Sequence, residues 1–263
     1  SGSRCVCNTY GYEFGERQKR VSIIFIGLFG VNAIEKRSSP RSLHAIVPIN
    51  KLSKCKTRLS DFISNHDRRR LVLAMFHDVL TVLIEHPHIS EVTIIAGESL
   101  KFSSEVMDFV QLIDEKKLDT VGVGLNSILA AGLDFIKEND NDDIMILHGD
   151  LPLLTRKDIT STLERLSQGD DLVLGPDRLD EGTNLLAFRS GLRPEFSFGP
   201  KSLKAHLEWA RITGLRVSCL KTLGIGVDID TEMDFRELFA AEYTGLIGKF
   251  TATLIPQIQM SEC

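Results

Sequence analysis

Two groups of carboxylates stand where a divalent cation could be held. Ile144–Leu154, IMILHGDLPLL, reads as an apolar strand that stops at Gly149-Asp150 with Pro152 following, so Asp150 falls at a strand's carboxyl end. Gly224–Asp230, GIGVDID, is a second strand-like run whose end carries Asp228 and Asp230. A hard cation such as Mg²⁺ takes one or two carboxylates and leaves its other positions to phosphate and water. Two separate strand ends that deliver carboxylates therefore suit a metal bound together with a nucleoside triphosphate. Asp before proline also commonly caps a turn, and Asp150 taken alone does not separate the two uses.

A cationic loop follows the first apolar run. Behind Leu43–Ile49, Lys51, Lys54, Lys56 and Arg58 place four cations within eight residues. Backbone amides and cationic side chains in one loop can wrap a triphosphate and neutralise the charge that develops on departing pyrophosphate. A solvated basic loop is the plain alternative, and the acidity of the rest of the chain weighs against it. Two glycine patterns lead nowhere. Gly122-Val-Gly124-Leu-Asn-Ser has Ser127 where a dinucleotide fingerprint needs its third glycine, and Gly199-Pro200-Lys201-Ser202 lacks the spacing of a Walker loop.

Charge supports the same division. The 263 residues carry 31 Lys and Arg against 36 Asp and Glu, a formal net charge of −5, which disfavours a broad nucleic-acid surface. Residues 1–58 hold eleven of the basic groups and three of the acids, which leaves 20 basic and 33 acidic groups to the remainder. An acidic body with a basic leading segment suits a site where cations meet a polyanion and carboxylates hold a metal. Five cysteines (Cys5, Cys7, Cys55, Cys219, Cys263) are odd in number and form no CxxC pair. That argues against a disulfide framework or zinc site and for a reducing cytoplasm. With no run of about 18 apolar residues, no membrane span is expected.

The elements that must position these groups read as alternating strands and helices. Strands are expected at Leu43–Ile49, Val92–Ala96, Asp143–Leu147, Leu172–Leu174, Leu185–Phe188 and Leu215–Leu220. Between and after them, helical spacing marks Asp67–Glu85, Leu125–Glu138, Arg156–Ser167, Lys201–Thr213 and Glu232–Ala241. This alternation predicts one α/β domain over residues 43–245, a single mainly parallel sheet flanked by helices, with its site at the strands' carboxyl ends. Residues 1–42 read as an N-terminal extension, poorly ordered or docked as an added strand, and residues 246–263 as a C-terminal tail. Val21–Ile34 has the outline of a secretory leader. Its depth in the chain and the lack of a small-residue cleavage site before Glu35-Lys36-Arg37 argue against that use.

Six motifs recur in order: VPxNKLxxCKTRL from Val47, GLN at 124–126, GDLPLL at 149–154, EGTNLL at 181–186, FGxxS at 198–202 and GVDIDT at 226–231. Together, over residues 43 to about 242, they resemble the 2-phospho-L-lactate guanylyltransferase family of coenzyme F420 biosynthesis, within the nucleotidyltransferases that include molybdenum cofactor guanylyltransferase. The resemblance implies a nucleotidyltransferase fold of the nucleotide-diphospho-sugar transferase type. It also implies transfer of GMP from GTP to the phosphate of 2-phospho-L-lactate, phosphoenolpyruvate or 3-phosphoglycerate, with release of pyrophosphate.

By the same resemblance Asp150 and Asp230, with Asp228 close behind, hold Mg²⁺, and Lys56 and Arg58 act on the triphosphate. Pro48, Lys51, Gly124 and Asn126 line the nucleotide, Asn126 near its base or ribose. Thr183, Asn184, Gly199 and Ser202 receive the acceptor acid, the last two at a helix start whose amides can bind an anion. The family has Lys then Pro where this chain has Asn50-Lys51, which leaves open which lysine serves the phosphates. A phosphate monoester has a second pKa of about 6 and needs no base to become a nucleophile, so His148 reads as a packed side chain. The implied partners are GTP and the acid, with hand-over of an unstable product to the next enzyme of the pathway, from a monomer or homodimer. Transfer to a sugar phosphate or molybdopterin, or a non-catalytic nucleotide-binding protein of the same fold, are the alternatives.

Overall fold

The computed structural model of the protein describes residues 42–102, 104–136, 142–238 and 245–258. The expected extension over residues 1–42 lies, save for Ser42, outside the described residues. The elements run β1 (Ser42–Ile49), α1 (Asn65–Ile84), β2 (Ile89–Ala96), α2 (Ser104–Met107), β3 (Val110–Asp114), α3 (Leu125–Phe135), β4 (Asp142–Leu147) and α4 (Arg156–Ser167). They continue with β5 (Leu172–Pro176), β6 (Thr183–Phe188), α5 (Ser202–Thr213), β7 (Val217–Cys219), α6 (Leu223–Gly226), α7 (Glu232–Leu238) and α8 (Lys249–Leu254).

The strands form one sheet in the order β3-β2-β1-β4-β6-β5-β7. Strands buried on both faces read as nearly unbroken apolar runs, and every residue of β4, β5 and β6 is buried. Successive residues of β1 serve opposite faces: Ala45 and Val47 pack with Val72, Phe76 and Leu80 of α1, and Ile46 packs with Leu129 and Leu133 of α3. α4 joins α1 on the first face through Ile159 and Leu166, and α5 joins α3 on the second through Leu203 and Ala210. Each Val, Leu, Ile or Phe among them contributes about 1.5–3 kcal/mol on full burial. The segment expected as a C-terminal tail carries α8, whose first amides, Phe250 and Thr251, donate to Asp78 of α1 at 2.8 and 2.9 Å. Leu254, Ile255 and Ile258 then pack beside Leu71 and Met75 of α1.

The sheet is mainly parallel, as expected, with β6 alone antiparallel to its neighbours β4 and β5. Two local readings are corrected. β3 lies at an edge, where half-exposed Leu112 and exposed Gln111 break the apolar pattern that marks a strand. The run Gly224–Asp230 is no strand: Thr222 caps a helical turn there by accepting from Ile225 N, and residues 227–230 follow in irregular backbone. Of the expected helices, α3 ends at Phe135 and α7 is described to Leu238, the residues beyond (137–141 and 239–244) being outside the described set.

Candidate active site

Segments distant in sequence converge beyond the carboxyl ends of β1 and β4. After β1 the chain makes two single-turn 3-10 helices, Leu52–Lys54 and Thr57–Leu59. Between them Lys56 takes a left-handed conformation, φ 52°, at a cost of about 1–2 kcal/mol for a residue with a Cβ. Its side chain is 5% exposed, and the ammonium donates to Asp150 Oδ2 and, at 2.6 Å, to Asp230 Oδ1. Asp150 is reached through Gly149, where a Cβ would stand 2.5 Å from the Phe76 ring, so only glycine lets the backbone pass so close to α1.

The antiparallel course of β6 matters here, because it brings the start of that strand to where β4 ends. His148 N donates to Asn184 O at 3.0 Å. The Asn184 amide in turn donates to Ile225 O at 2.9 Å and to Asp228 Oδ1 at 3.3 Å, which ties down the loop that carries both aspartates. Asp234 fixes the other end of that loop. Its Oδ2 accepts from the amides of Asp230 (3.0 Å) and Thr231 (2.7 Å), and its Oδ1 accepts from Arg178.

Electrostatics follow from one ammonium set among three carboxylates. Burial lowers the Lys56 pKa, but Asp150 and Asp230 together outweigh it and hold the ammonium above its ordinary value. Burial likewise pushes Asp150 up, and Lys56 overcomes that and holds its carboxyl below the ordinary range. Asp228 lies on the other side of the balance: burial first, then the charges of Asp150 and Asp230, raise it. Asp150 Oδ1 is buried with no hydrogen-bond partner among the described residues. A surplus of negative charge and an orphaned carboxylate oxygen make this a place for a further cation.

A cavity of about 430 Å³ opens beside the ammonium, with Lys54, Lys56 and Asp150 at one end and Pro48, Ile95 and Leu125 among its apolar walls. Of the residues expected at the nucleotide, Pro48, Lys56 and Gly124 line this cavity. Lys51 is half-buried at the start of the loop, and Arg58 is exposed and makes no ion pair among the described residues. Asn126 clamps Phe198 from both sides, Nδ2 donating to its carbonyl at 3.1 Å and Oδ1 accepting from its amide at 2.7 Å, so its amide already serves the backbone.

The residues expected at the acceptor acid are mostly enclosed. Thr183 and Ser202 are 2% and 1% exposed, and their hydroxyls lie 3.2 Å apart. His206 Nε2 accepts from Ser197 N at 3.0 Å, so the neutral ring carries its proton on Nδ1 and donates it to Thr183 Oγ1 at 3.1 Å. At the helix start, Ser202 N is paired with Gly199 O and Pro200 has no N–H. The Gly199 and Lys201 amides therefore remain as donors among the described residues. Sequence reasoning missed Asp234, although Thr231-x-x-Asp234 before α7 has the spacing of a capping box. It also missed Arg178, which bridges Asp234 and Glu237 and carries no comparable local pattern.

Residues 43–246 match the family model described as guanylyl transferase CofC like. The chain is similar to a phosphoenolpyruvate guanylyltransferase of Sphaerobacter thermophilus, 34% identical over 194 residues, which cover 74% of this chain and 91% of the relative. It is also similar to a 2-phospho-L-lactate guanylyltransferase of Methanocaldococcus jannaschii, 30% identical over 197 residues, covering 75% and 82%. Among solved structures, a nucleotide-diphospho-sugar transferase assignment from Desulfovibrio desulfuricans G20 aligns with a TM-score of 0.59 at 18% identity, covering 82% of this chain and 97% of that one. At that identity the likeness bears on the fold, which is the nucleotide-diphospho-sugar transferase fold expected from the sequence.

Proposed function

The chain belongs to the CofC-like guanylyl transferase family, and from that premise we propose that it moves GMP from GTP to the phosphate of a small phosphorylated acid in coenzyme F420 biosynthesis. The acid is 2-phospho-L-lactate, phosphoenolpyruvate or 3-phosphoglycerate, and pyrophosphate is released. Two of these acids stand in the names of its relatives. The observation that carries the reading is the Lys56 ammonium clasped by Asp150 and Asp230 at the end of a cavity large enough for a nucleotide.

The chemistry needs little beyond positioning and charge. An oxygen of the acceptor phosphate, already mostly dianionic at neutral pH, attacks the α-phosphorus of GTP. The bond from that phosphorus to the α,β-bridging oxygen breaks, and its electron pair leaves with pyrophosphate. Lys54 and Lys56 offset the charge that grows on the leaving group. No proton has to be removed from the nucleophile, so His148 has no base to play; its ring packs 5.5 Å from that of Phe198.

Asp150 together with one of Asp230 and Asp228 would hold Mg²⁺, and the orphaned Asp150 Oδ1 fits that use. When bound, the ion neutralises and orients phosphate oxygens. The donor set is that of an ion that takes one or two carboxylates and fills its remaining positions with phosphate and water. Among the described residues no three His, Cys, Asp or Glu side chains are arranged as a metal cage.

We place the reaction in the cytoplasm, with a monomer or homodimer passing its unstable product to the next enzyme. Among the described residues no helix is long and apolar enough to cross a membrane. Incubation with GTP, Mg²⁺ and each acid in turn, followed by mass spectrometry, tests the reading. A guanosine diphospho-acid is expected from at least one of them, and its absence from all three contradicts the proposal.

A further inference from the structure

We propose that Glu115 reads the nucleobase by accepting the N1–H and 2-amino donors of guanine, an inference that rests on GTP being the nucleotide donor. β3 ends at Asp114, whose side chain accepts from Lys116 N at 3.0 Å and so starts the 3-10 turn Glu115–Lys117. The turn sends the Glu115 carboxylate over Gly97, just past the end of β2. A Cβ on Gly97 would lie 3.2 Å from Glu115 Oε2 and 2.9 Å from Lys51 N. Glycine at 97 thus leaves room for the carboxylate beside the start of the phosphate loop.

Glu115 lines the cavity, is half-buried, and has no hydrogen bond or ion pair to its carboxylate among the described residues. Its neighbours differ. Asp114 is engaged by Lys116, and Glu98 accepts from Leu52 N at 3.0 Å. A half-buried acceptor without a donor, facing a cavity, calls for a ligand that brings donors.

Position and chemistry agree on which part of the ligand that is. β2 and β4 flank β1, so their ends are two strand spacings apart, about 10 Å. With the phosphates held near Asp150 at the end of β4, a group over β2 lies where the pairing edge of a purine falls. The same cavity is lined by Pro48, Ile95, Leu125 and Ile128, which offer apolar surface to a flat base. A carboxylate is an acceptor only, and guanine presents N1–H and N2–H side by side to its two oxygens. Adenine presents an acceptor at N1 to the same oxygens, so it is repelled where guanine is held.

Two kinds of comparison test the proposal. For the wild-type protein with phosphoenolpyruvate or whichever acid is active, kcat/KM is expected to fall from GTP to ITP, which lacks the 2-amino group, and further to ATP. Equal values for GTP and ITP overturn the proposal without any variant. Glu115→Gln is expected to lower kcat/KM for GTP and weaken GTP binding by calorimetry about 10- to 100-fold, with ATP and the acid's KM little changed. An equal fall for GTP, ITP and ATP assigns Glu115 to the ribose or to the fold and overturns base reading, as does no change. Activity of the wild type with CTP or ATP but not GTP removes the underlying reading itself, an outcome distinct from a Glu115 variant that leaves a GTP-specific enzyme unchanged.

Discussion

Lys56 and Asp230 lie 174 residues apart in the chain, yet the Lys56 ammonium donates to Asp230 Oδ1 at 2.6 Å. The same ammonium donates to Asp150, so one side chain ties the cationic loop after β1 to both acidic loops and offsets part of their charge. The inward aim of Lys56 depends on its left-handed backbone, which the turn between two short 3-10 helices imposes.

Lys56→Met should therefore lower both stability and activity. Breaking a fully buried pair costs about 3–5 kcal/mol. Because the Asp230 side chain is 47% exposed, a loss of about 2 kcal/mol is expected here. Turnover should fall by about a hundredfold or more, the usual consequence of removing a preorganised donor from a developing charge. The sign with pH is fixed by the raised pKa of Lys56. Its contribution is complete below the ordinary 10.5 and declines as pH rises beyond it. Denaturant melts of both proteins from neutral to strongly alkaline pH check this. Their difference should be constant through neutrality and shrink only above 10.5.

Acid stability should be governed in part by His206. Burial lowers its pKa from 6.5 to about 4, so the folded state resists a proton that the unfolded chain accepts. Its stabilising effect is whole above pH 6.5 and is lost as pH falls from 6.5 to about 4, an effect of about 3 kcal/mol for a shift of this size. His206→Gln should be less stable at neutral pH and show a flatter fall across that window. Urea midpoints measured at half-unit pH steps decide it.

Thr183→Val should act on the fold before it acts on acceptor choice. The Thr183 hydroxyl is enclosed, and removing it strands the buried Nδ1–H of His206. A cost of about 1–3 kcal/mol follows, while the ratio of kcat/KM among the three acids should stay as in the wild type. A changed ratio with an unchanged melting temperature would support the expected acceptor role of Thr183 instead.

The part of this architecture legible in the sequence is the part written in local pattern. β1 and β4 carry the apolar runs Ala45–Ile49 and Ile144–Leu147 because both faces of the sheet are covered, and Asp150 shows itself just beyond the second, after His148-Gly149. The cationic loop is visible as spacing, although which lysine turns inward depends on a backbone angle that spacing does not encode. β6 reads as a strand, but its direction is set by pairing with β4 and β5. That direction is what brings Asn184 to Asp228. Glu115 and Arg178 stood out least, since an isolated charge in a loop looks solvated until the chain folds around it.

Pyrophosphate release, followed with GTP, Mg²⁺ and each acid for the wild type, Asp150→Asn and Asp230→Asn, tests the central claim most directly. The wild type should release pyrophosphate only when nucleotide, metal and an acid are all present. Both variants should fold, as judged by melting curves, and each should lose at least about a hundredfold in rate, about 2.7 kcal/mol of barrier. Retention of more than about a tenth of the wild-type rate by both variants, a loss of less than about 1.4 kcal/mol, would contradict the account.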